Sequence, residues 1–147
     1  MKPILSSLAA ALLATIVLSV LMVAKSLMGV MPELNVIQML AAQMNAGPAM
    51  GWAAHFLIGV VGYGLAYALV FRRLPFGGHA LRGVLLGVAG WLVMMIVVMP
   101  MAGAGLFGMG IGPMAPVATF MLHVIFGLVL GLAYRSFPNG RAQEALA

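Results

Sequence analysis

Four apolar runs of about twenty residues, the length that crosses a bilayer as an α-helix, take up most of this chain: Ile4 to Ala24, Ala49 to Phe71, Ala80 to Met99 and Pro116 to Tyr134. A chain that is 65% hydrophobic and 6% charged cannot cover a water-soluble globule, in which about 25% of residues are charged. The fold class that follows is all-α, an integral membrane four-helix bundle in which residues 1–147 form one membrane domain. Lys2 before the first run and Ala24 near its end imitate a secretory signal. That run is longer than the roughly 7–15 apolar residues of a signal core, so it reads as a retained helix.

The basic residues set an orientation, because Lys and Arg near helix ends stay on the cytoplasmic side. Lys2, Arg72, Arg73, Arg82, Arg135 and Arg141 all fall at the N-terminus, the 72–79 loop or the 139–147 tail, whereas Lys25 falls on the other side. Both termini are therefore expected in the cytoplasm, with the chain multi-pass in the membrane. The net charge of +5 then reflects topology and attraction to anionic lipid, and nucleic acid is not an expected partner. The chain has no Cys, which removes disulfides, thiol redox chemistry and Cys-based metal sites.

A second regularity lies beneath the first. Residues 68 apart correspond: Val30-Met31-Pro32 with Val98-Met99-Pro100, Pro48 with Pro116, Thr15 and Ser19 with Gly83 and Gly87, His55 with His123, and Gly59 with Gly127. Gly64-Leu-Ala-Tyr67 matches Gly131-Leu-Ala-Tyr134 with a one-residue slip. The bundle is thus expected to consist of two tandem helical hairpins, about 4–71 and about 80–138. With two helices per copy both insert in the same direction, as in parallel-repeat transporters. His55 and His123 then share one depth in the outer half of the membrane, and their stripes turn them toward helix interfaces and toward one another.

The two outer connections differ. From Met31 to Gly47, Pro32 suits a first helical position, Glu33 a first turn, and Asn45 to Gly47 a stop. Leu34, Ile37, Ala41 and Met44 would share one face of a short amphipathic helix on the membrane surface or in the bundle mouth. The 101–115 loop carries glycines 103, 105, 108, 110 and 112 and no charge. Its backbone must find internal partners, which favours a segment tucked into protein. Its Gly103-x-Gly105-x-x-Gly108 lacks the strand and acidic residue of a dinucleotide site.

An ionisable residue within a membrane span is a functional-site candidate by default, which singles out His55 and His123. The plain role is an interhelical hydrogen bond. A sharper one makes them axial ligands of haem b, with Gly59 and Gly127 leaving room for the macrocycle. A third adds Met31 and Met99 to give two imidazoles and two thioethers, a set that suits Cu(I), although many of the 14 Met are ordinary gap fillers. Zinc lacks ligands, since the only carboxylates are Glu33 and Glu144. A small oligomeric transporter or channel is a further alternative, but the inner half offers few polar residues for a path, Tyr63, Tyr67, Tyr134 and Thr15 among them. The tyrosines read as anchors at the inner interface and His79 as a solvated member of the Arg72 to Arg82 loop.

With no Asp, and no Ser beside a His and a carboxylate, hydrolase machinery cannot be assembled, so no enzyme activity is expected. Glycines 83, 87 and 90 on the third helix and 59 and 62 on the second form close-packing stripes. These are expected to recruit further helices, giving a homo-oligomer or a larger membrane complex within the lipid bilayer.

Four stretches carry a resemblance: Met31-Pro-Glu-Leu-Asn-Val36, Gly51-Trp-Ala-Ala-His-Phe-Leu-Ile-Gly59, Val98-Met-Pro-Met-Ala-Gly103 and His123-Val-Ile-Phe-Gly-Leu-Val-Leu-Gly-Leu-Ala-Tyr134. In these the chain resembles a family of small bacterial four-helix inner-membrane proteins known only as a domain of unknown function. The resemblance implies fold and topology and transfers no activity. The combined reading is a non-catalytic accessory, assembly or binding subunit, with a haem or copper protein as the alternative.

Overall fold

The computed structural model describes residues 3–144; Lys2 and the last three residues of the tail lie outside the described residues. The four expected spans are helices: α1 (Pro3–Leu27), α3 (Pro48–Arg73), α4 (His79–Met101) and α5 (Met114–Ser136), each long and apolar enough to cross a membrane. Short helices α2 (Val36–Gln43) and α6 (Pro138–Glu144) follow α1 and α5. Large apolar side chains face outward on all four long helices, among them Val20, Leu57, Val93 and Met121. The buried residues of α1 include Ser6, Ser7, Thr15 and Ser19. Apolar outside with polar inside is the arrangement that suits a lipid solvent, where polar groups turn to the bundle interior.

Small residues decide which helices meet. A Cβ at Gly127 would lie 2.8 Å from Gly83 C and 3.0 Å from Val84 Cα, and one at Gly83 would lie 2.8 Å from Gly131 N. Here α4 and α5 run backbone against backbone. Gly59 meets the Thr15 side chain of α1, and Gly64 meets Leu8 and Ala11. The helices therefore pack in the order α3, α1, α5, α4. The glycine stripes expected to recruit further helices are already filled: Gly83 and Gly87 by α5, Gly59 by α1, and Gly90 by the Tyr63 side chain. Only Gly62 faces open space, with Ile58 Cγ2 as its nearest neighbour at 4.0 Å.

The core is in two parts. At the arginine end Ala10, Ala11, Ala14, Tyr67, Leu86, Phe126, Leu130 and Tyr134 form one cluster. At the opposite end Leu34, Met94, Met95, Met99 and Ala104 form another. Tyr67 and Tyr134, expected as interface anchors, are fully buried and meet at 5.1 Å between ring centroids. His79, expected in solvent, is 1% exposed. It opens α4 at a point where a Cβ on Gly131 would lie 2.8 Å from His79 C, so the close glycine contact draws the first turn of α4 into the bundle. Tyr67 Oη lies 3.0 Å from His79 Nδ1 and donates toward His79 O at 3.2 Å.

Both outer connections follow from local chemistry, one with a shifted start. The α2 helix begins at Val36, later than Pro32, because Asn35 is the N-cap and accepts from Gln38 N at 3.1 Å. Leu34, Ile37 and Ala41 are buried as expected, while Met44 is exposed. Lys25, the one basic residue at this end, donates to the carbonyls of Val30, Met31 and Leu34 at 3.1, 2.9 and 2.8 Å. The 101–115 loop satisfies its own backbone, for example Gly110 N to Ala104 O at 2.8 Å. Gly103 and Gly105 supply the positive φ it needs, 75° and 74°, where a side chain would be strained.

Two of the long helices are not regular. Leu57–Gly62 in α3 and Met94–Val98 in α4 are π turns, whose hydrogen bonds span one residue more than α-helical ones. The one-residue slip between His55…Tyr67 and His123…Tyr134 falls at the first of these. The extra residue is absorbed there, and both tyrosines reach the same cluster.

Candidate functional site

The half of α3 nearer the loops packs on α2, the π turn that follows packs on α1, and neither packs closely on α4 or α5. The space left between the two core clusters is a cavity of about 400 Å³. His55 and His123 both line it, as do Thr15, Gly59, Tyr63 and Thr119. The rest of the wall is apolar, including Met22, Leu86 and Met94. Residues of both π turns also line it, Ile58, Gly59 and Gly62 from α3 and Met94 and Val98 from α4.

The two histidines are held differently. His55 is 8% exposed, edge-on to Trp52 and Phe56 with centroids at 5.8 and 5.7 Å. Its Nε2 lies 3.1 Å from Ser19 Oγ. Ser19 Oγ gives its one proton to Thr15 O at 2.7 Å. The ring must therefore be the donor in the second contact, which places the proton of a neutral His55 on Nε2.

His123 lies opposite in chemistry. Its Nδ1 is 2.8 Å from Thr119 O, and a carbonyl only accepts, so Nδ1 carries the proton. A neutral ring then keeps a lone pair on Nε2, which has no hydrogen-bond partner among the described residues. The residue 68 before Gly87 is Ser19, and Gly87 closes on the His123 backbone. Where His55 finds a hydroxyl on the neighbouring helix, His123 finds no side chain at all. The interhelical hydrogen bond thus accounts for His55 and leaves His123 unexplained.

The other candidates are dispersed. Gly59 is on the cavity wall, but its open face is taken by Thr15. Gly127 lies on the α4–α5 seam against Gly83 and is not on that wall. Neither glycine leaves a slot for a macrocycle, because each is closed by a neighbouring helix. Met99 is fully buried, with Met31 packed against the same cluster at the loop end, and neither is on the wall with the histidines. The sulfurs on that wall belong to Met22 and Met94. Among the described residues no three of His, Asp, Glu or Cys come together as a metal site. Ser19 and Thr119, which set the two ring states, were legible only as partners in register: Ser19 four residues beyond Thr15, and Thr119 four before His123.

No curated protein and no solved structure was found to match the chain. A family model, described as "Family of unknown function (DUF6789)", matches the chain over residues 1–145. That span takes in all four long helices and both histidines, and the chain belongs to this family.

Proposed function

We propose that this chain is a non-catalytic binding protein of the bacterial inner membrane that holds a small lipid-borne molecule between α3 and the α4–α5 pair. The observation that carries this reading is the placing of both intramembrane histidines on the wall of one largely apolar cavity of about 400 Å³. Ligand sites are typically concave and apolar, of about 300–1,000 Å³, with a few convergent polar groups. The two flanking π turns support it, since such turns occur often at functional sites. At the arginine end the buried Tyr67, His79 and Tyr134 close the bundle, which favours a binding site over a through-path. An accessory role in a membrane complex is compatible with it.

The test is purification from native membranes in mild detergent, solvent extraction, and mass spectrometry of what is released. Gly62→Phe should abolish a co-purifying molecule, because Gly62 is the wall glycine with open space beside it. A stoichiometric molecule that remains bound to Gly62→Phe would refute the cavity as its site.

The duplicated hairpin and the orientation belong to the same proposal. Matching contacts at positions 68 apart, Gly59 with Thr15 and Gly127 with Gly83, support the first. The grouping of Arg72, Arg73, Arg82 and Arg135 at one end supports cytoplasmic termini. Reporter fusions at Gly78 should then score inside and at Asn45 outside, and the reverse result would invert the protein.

A second reading, haem b or Cu(I), has one observation in its favour. A metal-binding His commonly donates its other ring N–H to a carbonyl, as His123 does to Thr119. His55, whose Nε2–H is committed to Ser19, would have to ligate through Nδ1 where His123 offers Nε2, which opposes a symmetric pair of ligands. An absorption spectrum and metal analysis of the same sample decide this reading.

A further inference from the structure

Hydrogen-bond accounting on the cavity wall narrows the kind of molecule that fits, an inference that rests on the cavity reading above. Thr15 and Thr119 give their hydroxyl protons to Ala11 O and Ala115 O, each at 2.8 Å. His55 gives its Nε2 proton to Ser19 and keeps a lone pair on Nδ1, so it too asks for a donor and not for a second acceptor. Tyr63 is on the wall with its hydroxyl against Gly90, and a hydroxyl can either donate or accept, so it does not discriminate. His123 does: its Nδ1–H is spent on Thr119 O, and a neutral ring offers only the Nε2 lone pair. No carboxylate lies in any of the four spans to pair with a charged ring.

We propose that the ligand of this cavity is an apolar molecule bearing a hydroxyl, which donates its hydrogen bond to Nε2 of His123. A ligand with only carbonyl or ether oxygens sets lone pair against lone pair there. Ser19 meets the His55 ring from within the protein, as acceptor of its Nε2 proton; the ligand hydroxyl at His123 takes the complementary part of donor. Glycine in its place at 87 leaves the second site to be filled from outside.

Two probes of nearly equal shape, 4-octylphenol and its methyl ether 4-octylanisole, differ by the one proton in question. The full chain, labelled with ¹⁵N at its three histidines and reconstituted in lipid nanodiscs, reports both tautomer and binding through the imidazole resonances. Before ligand is added, the proton should be found on Nδ1 of His123 and on Nε2 of His55. Octylphenol should move the His123 Nε2 resonance and bind about tenfold more tightly than octylanisole, as one buried hydrogen bond allows. His123→Phe should erase that difference while octylanisole still binds, and Gly62→Phe should block both probes. Equal affinity for the two probes, or a His123 proton on Nε2, would overturn the hydroxyl inference and leave the cavity reading standing. Failure of both probes to bind, or binding that Gly62→Phe does not block, would overturn the cavity reading and the hydroxyl inference with it.

Discussion

The α4–α5 seam yields the sharpest stability prediction. Gly127→Ala adds one methyl group that would stand 2.8 Å from Gly83 C and 3.0 Å from Val84 Cα. Both obstacles are backbone, so no side-chain rotation relieves them. Gly83 O stands nearer still, so restoring ordinary contact means moving the helices apart by more than about 1 Å, and overpacking of this kind costs about 1–3 kcal/mol. Because separation also loosens the Gly83 and Gly131 contacts along the same seam, the upper part of that range, about 2–3 kcal/mol, is expected. Gly62→Ala is the internal control. Its methyl meets nothing nearer than Ile58 Cγ2 at 4.0 Å, and helix propensity favours Ala over Gly by about 1 kcal/mol, so it should be neutral or slightly stabilising. Reversible unfolding in mixed micelles, followed by circular dichroism, gives the comparison. Gly83→Ala combined with Gly127→Ala should cost less than the sum of the two, since the first methyl already opens the gap. A Gly127→Ala protein within 0.5 kcal/mol of the parent, or full additivity in the double variant, would show that α4 and α5 do not approach through these glycines.

Three further outcomes follow from single side chains. Lys25→Met removes an ammonium shared by three carbonyls; partly exposed, the group should be worth about 1–3 kcal/mol, with faster hydrogen exchange at residues 28–36 as the readout and unchanged exchange as the refutation. Ser19→Ala deprives His55 Nε2–H of its acceptor and should cost about 1 kcal/mol, with the His55 imidazole ¹⁵N spectrum changing while that of His123 stays as it was. Tyr67→Phe deletes the hydroxyl beside His79 Nδ1 and His79 O in a fully buried site, and a loss of about 1–2 kcal/mol in the same micelle assay is expected; a neutral result would place His79 outside the bundle.

Much of the candidate site was legible as pairs. His55 and His123 stand out because an imidazole in hydrocarbon demands a reason, and both do line one cavity. Met31 and Met99 stand out by register alone, and they pack at the loop end away from the histidines. Thioethers are apolar enough to serve as filler, so correspondence at positions 68 apart does not distinguish a ligand from packing. His79 was misplaced for a related reason. Its neighbours Arg72, Arg73 and Arg82 suggest solvent, whereas its burial depends on Gly131, more than fifty residues later.

The number of spans and their approximate ends are properties of the sequence by itself, because the cost of placing a residue in hydrocarbon is paid locally, residue by residue. Which helix answers each glycine stripe is decided only in three dimensions, since a stripe of small residues specifies close approach and not a partner. So too with the cleft. The π turn at Leu57–Gly62 takes up one extra residue, and one residue is about 100° of helical rotation. That rotation lets Tyr67 rejoin Tyr134 in the core. The half of α3 before the turn lies against α2, reaches α1 through the His55–Ser19 contact and stays away from α4, and there the cavity opens with His55 and His123 on its wall.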